Sequence, residues 1–112
     1  MLKVFFQNFT NKMKVSIHKP LDAVLEQVLE VFEFLPQHDG SYLGIISEQE
    51  ITIQFTKYNK FVWLIEIPIP EKKGSYQMFL TDHKCKRIIT SIFEGINPLE
   101  INGLIFEKKD TF

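Results

Sequence analysis

Residues 42–80, YLGIISEQEITIQFTKYNKFVWLIEIPIPEKKGSYQMFL, decide the fold. Tyr42 to Ile46 is a short apolar run closed by Ser47-Glu48-Gln49. From Glu50 to Thr56 the residues alternate strictly, with Ile51, Ile53 and Phe55 on one side and Thr52, Gln54 and Thr56 on the other. A period of two predicts a strand with one wet face. Lys57-Tyr58-Asn59-Lys60 carries turn chemistry. The next run places Phe61, Trp63, Ile65 and Ile67 on one face and begins the other with Val62 and Leu64, the signature of a central strand. Pro68 to Ser75 reads as a rigid, exposed loop, because neither Pro68 nor Pro70 can donate to a ladder. Tyr76 to Leu80 completes a fourth strand. Consecutive strands joined by short turns predict an antiparallel meander.

Outward from this centre, Pro20 opens a predicted helix. Leu21, Val24, Leu25, Val28, Phe32 and Leu35 follow its three-four spacing, and Pro36 ends it. Before it, Met1 to Phe9 and the alternating Met13, Val15 and Ile17 pair as a hairpin. After the meander, Thr81 or Asp82 caps a second helix with Cys85, Ile88, Ile89, Ile92 and Phe93 on its buried stripe and Gly95 as its stop. Leu99 to Glu107 reads as a last strand interrupted by Asn102-Gly103. The expected architecture is a single α+β domain over residues 1–112, a mostly antiparallel sheet with two helices on one face. The other sheet face is left open to a partner.

Composition supports a packed domain. Apolar residues make up 45% of the chain, and 11 Phe, 3 Tyr and Trp63 supply enough ring area for a core without staples. The lone Cys85 excludes an intrachain disulfide and a multi-thiolate zinc site. The N-terminus lacks the pattern of a secretory signal, and the longest nearly apolar run, Phe61 to Ile69, is broken by Glu66 and Pro68. A cytoplasmic protein with no membrane segment is expected.

No catalytic, cofactor or metal motif emerges. His83 and Cys85 are two apart on a helix and diverge, and Cys85 falls on the apolar stripe, where a thiol is inert. His18 and His38-Asp39 lie in turns without the spacing of a metal site. Gly40, Gly44 and Gly74 are too scattered to cradle phosphate. Lys84, Lys86 and Arg87, with Lys72 and Lys73, form a modest basic cluster. A net charge of −1 gives no general attraction to nucleic acid, so these residues read first as a solvated face.

Charge is unevenly placed. From Pro20 through Thr56 stand seven acids, Asp22, Glu26, Glu30, Glu33, Asp39, Glu48 and Glu50, and no Lys or Arg; the rest of the chain holds all 13 basic residues. Asp22, Glu26, Glu30 and Glu33 are spaced to line one face of the predicted first helix. That pattern fits a solvated face, and it also fits a contact surface for a cationic partner, with Asp39, Glu48 and Glu50 as extensions.

Ser41-Tyr42-Leu43-Gly44-Ile45-Ile46, Ile51-Thr52-Ile53-Gln54-Phe55, Trp63-Leu64-Ile65-Glu66-Ile67-Pro68-Ile69-Pro70 and Gly74-Ser75-Tyr76 together span about the middle third of the chain. This segment resembles small bacterial proteins encoded beside polymorphic or contact-dependent toxins, the immunity proteins. The resemblance implies a non-enzymatic inhibitor that covers a cognate toxin domain, and an acidic helix suits a nuclease with a basic cleft. Two other classes stay open. One is a small-molecule-binding or enzymatic domain with a pocket between sheet and helices, and the other is an oligomerisation module with an apolar interface.

Overall fold

A computed structural model describes residues 2–36 and 40–109. Its strands are β1 (Lys3–Asn8), β2 (Met13–Val15), β3 (Leu21–Asp22), β4 (Tyr42–Ile46), β5 (Thr52–Lys57), β6 (Val62–Ile69), β7 (Gly74–Thr81) and β8 (Ile105–Lys108). They make one antiparallel sheet in the order β2-β1-β4-β5-β6-β7-β8, with β3 beside β2 on the outer edge of β1. The helices α1 (Leu25–Phe34) and α2 (Asp82–Phe93) share a core with one face of the sheet. This is the expected two-layer α+β fold, with the β4-to-β7 meander and the β1–β2 hairpin in place. No helix among the described residues is long and apolar enough to cross a membrane.

The inner face follows from strand parity. Val4 pairs with Ile45 and Ile45 with Ile53, while Leu43 pairs with Phe55 and Phe55 with Ile65, so two neighbouring rows of apolar side chains cross the sheet. Val28 and Phe32 of α1 and Cys85, Ile89 and Ile92 of α2 complete the buried cluster. Phe32 stacks on Trp63 with ring centroids 4.2 Å apart. The opposite face carries a half-buried polar row, Gln54, Glu66 and Gln77, and one buried ring: Phe5 lies across Gly44, in edge contact with Tyr42.

Several sequence expectations about the elements are corrected. The first helix begins at Leu25, not Pro20. Leu21 and Asp22 pair with Val4 and Lys3 instead, and Val24 becomes the extended residue before the helix, its N–H donating to the Gln27 side chain. A helical spacing is thus overridden by pairing with a distant strand. Phe61 lies outside β6 and is 71% exposed. The expected loop at Pro68 to Ser75 shrinks to one helical turn, Pro70–Lys72, because β6 runs on to Ile69 and β7 starts at Gly74. Pro68 fits there because the β5–β6 pairing stops at Glu66, so no ladder bond is required of its nitrogen. Finally, Pro98–Glu100 is a helical turn held by the Asn97 side chain, which accepts from the Leu99 N–H, and only Ile105–Lys108 is strand.

Candidate functional site

A half-open groove lies beneath one flank of α1. This helix is anchored by its Val28–Phe32 side. Two residues beyond Phe32, Phe34 lies about 200° round the helix, since each residue turns about 100°. Its ring is 71% exposed. On the same flank stand Gln27, Glu30 and Val31, and across from them run β1, β2 and β3. Between the two is a half-open groove of about 400 Å³. Its floor is apolar, formed by Val4, Phe6, Val28 and Leu43, and its rim carries Met13, Leu21 and Phe34, all mostly exposed.

The polar groups of this groove are largely engaged within the chain. Asn8 donates to the Phe34 carbonyl while its side-chain oxygen accepts from the Thr10 and Asn11 N–H groups. Asp22 accepts from the Lys3 ammonium at 2.7 Å, and that bond holds its carboxyl below the usual range. Glu30 is exposed and makes no ion pair among the described residues.

The acidic residues expected to form one surface divide into four groups. Glu26 and Glu30 lie exposed on α1. Glu33 is on the same helix but is paired with Lys86 of α2. Asp22 is not on the helix at all; it stands on β3, tied to β1. Glu48 and Glu50 sit in the turn between β4 and β5, Glu50 with a φ of 62° rather than in the strand expected to start there. Asp39 and His38 lie outside the described residues.

A second polar cluster was not foreseen. Lys57, read as a turn residue, ends β5 with its side chain only 5% exposed. Its ammonium bonds Asp82 at 2.8 Å and lies 4.8 Å from the centre of the Trp63 ring. The Trp63 indole N–H donates to the same Asp82 oxygen. Burial pushes the Asp82 carboxyl up, but hydrogen bonds from Lys57 and Trp63 outweigh it and hold the group below its ordinary range. Asp82 also opens α2, where the helix favours negative charge. Each group has a partner, so the cluster is a clasp between β5, β6 and α2. Just behind it Cys85 is fully buried, and burial, helped by the Asp82 charge, pushes its thiol up to about 12. The thiol stays protonated and unreactive at neutral pH.

Among the described residues no group of three or more His, Cys, Asp or Glu is placed to hold a metal ion. Lys84 and Arg87 flank a shallow hollow by Met78 and Ile88, while Lys86 is taken up by Glu33. A pocket between sheet and helices was among the open readings, but its place under α1 and its lining escaped sequence reading. The one available signal was Phe34, an aromatic residue off the apolar stripe among acids. No family model, curated protein or solved structure matches the chain.

Proposed function

We propose that this chain is a non-enzymatic protein-binding inhibitor of the immunity type, which neutralises a cognate bacterial toxin domain in the cytoplasm by covering it. The observation that carries the reading is the outer surface of α1. Phe34 on the helix and Val24 just before it are exposed, 71% and 48%, beside Glu26 and Glu30, which make no ion pair among the described residues. An exposed aromatic ring within a charged rim is how protein interfaces are commonly built, and carboxylates speed association with a cationic partner such as a nuclease domain.

The groove beneath α1 favours a second reading, a small-molecule site, because its volume falls in the range such sites occupy. That reading also needs convergent polar groups free to orient a ligand. Asn8, Asp22 and the Gln27 oxygen are each bonded within the chain, which weakens it.

The test is protection. A toxin-domain reading frame beside this gene is expressed in a bacterial host with and without the chain, and survival is expected only with it. Reversing charge with Glu26→Lys and Glu30→Lys is expected to slow association at low salt, and the deficit shrinks as salt rises. Lack of protection by the parent chain ends the reading. Equal binding by the double variant at both salts returns α1 to an ordinary solvated face.

A further inference from the structure

Resting on that reading, we infer that the groove between α1 and the β1–β3 rim is a socket for one bulky apolar side chain on a basic segment of a protein partner. A volume of about 400 Å³ is room for roughly a dozen waters, enough for a large aromatic or aliphatic side chain. Val4, Val28 and Leu43, themselves buried, close its bottom, and Phe6, Met13, Leu21 and Phe34 line it with apolar surface that still faces water. Filling it removes apolar surface of both partners from water, the contribution that anchors protein interfaces.

Charge selects what surrounds the anchor. Among the described residues the groove lining contains two carboxylates, Asp22 and Glu30, and no Lys or Arg. Asp22 is neutralised by Lys3, which leaves Glu30, with Glu26 one turn back, to face the incoming chain. A fatty acid or another anionic apolar ligand would bring its charge against these carboxylates. A segment with Lys or Arg on either side of the anchor meets them favourably, and the exposed Leu21, Met13 and Phe34 on the rim flank its stem.

The experiment uses the whole chain, isotopically labelled, and three short synthetic peptides followed by nuclear magnetic resonance. One carries Trp between lysines, the second replaces that Trp by Ala, and the third replaces the lysines by Glu. The first is expected to bind about tenfold or more tightly than the others, with shifts centred on Leu21, Val28, Val31 and Phe34. Val31→Phe, which fills the groove, and Met13→Trp, which covers it from an exposed strand, are each expected to abolish the advantage. Glu30→Gln is expected to reduce its salt dependence. Equal binding of the three peptides, absence of binding, or shifts centred on another surface overturns the socket. Against the toxin partner the two ideas separate. If the Glu26→Lys/Glu30→Lys pair loses protection while Val31→Phe and Met13→Trp keep it, the socket falls and the acidic surface stands. If neither set matters, the α1 reading itself falls.

Discussion

Phe32 and Phe34 stand two residues apart on the same helix and live in different surroundings. Phe32 is 2% exposed, stacked on Trp63 and edge-on to Phe55, and around this seam Lys57 and Asp82 lock β5 to the start of α2. Phe34 overhangs the half-open groove and is 71% exposed. The contrast separates two uses of aromatic residues. On the Trp63 side each ring has neighbours that exclude water and each polar group a bonded partner, so the contribution goes to stability. On the groove side the apolar surface still faces water, so its contribution is realised only when something covers it.

Substitutions across this divide test it. Phe32→Ala and Trp63→Ala are each expected to cost about 3–5 kcal/mol in denaturant unfolding, whereas Phe34→Ala should stay within about 0.5 kcal/mol of the parent. If Trp63→Ala melted within a degree or two of the parent, the seam would not be the mainstay described here. Asp82→Ala is next in size. It leaves the buried Lys57 ammonium without its carboxylate, for an expected loss of about 1–3 kcal/mol, with Lys57→Met losing less because the charge goes with the pairing.

Much of the seam was legible from local pattern. β4 has the bounds its apolar run suggested, Thr81 and Gly95 bracket α2 as expected, and Trp63 lies in the core where its parity put it. Alternation and short turns are local signals, and so they survive in one dimension. Lys57 was misread because its burial depends on Asp82, 25 residues further on. Leu21-Asp22 was misread because a good helical spacing lost to pairing with Lys3-Val4. The position of the groove was invisible for a related reason. It arises from the gap between α1 and the β1–β3 rim, a property of three separate segments.

The clasp also predicts a response to acid. The Asp82 carboxyl is held below its ordinary value of 3.8 in the folded chain. A depressed folded value contributes stability that is present above the unfolded value and is lost as pH falls through the folded one. Unfolding free energy should therefore drop more steeply below about pH 4 in the parent than in Asp82→Asn. Equal acid limbs would break the assignment. The same seam should slow a thiol reagent. Cys85 is expected to label at the rate of unfolding, and rapid labelling of the native chain would show that the cover over Cys85 opens. Smallest of all, Glu26→Lys with Glu30→Lys should change stability by no more than about 0.5 kcal/mol, since it exchanges one like-charged pair for another on an exposed helix face. A larger loss would place those carboxylates in the structural half of the molecule.

The ring of Phe5 lying over Gly44 carries a different consequence, one for sequence change over time. A side chain at position 44 would run into that ring, and shrinking Phe5 would uncover the backbone it shields. The two positions therefore form a unit of inheritance: Gly44→Ala alone strains the sheet, Phe5→Leu alone thins it, and the pair together is expected to lose less than the sum. In relatives of this chain the two sites should vary jointly, a large ring on one strand accompanying glycine on the next.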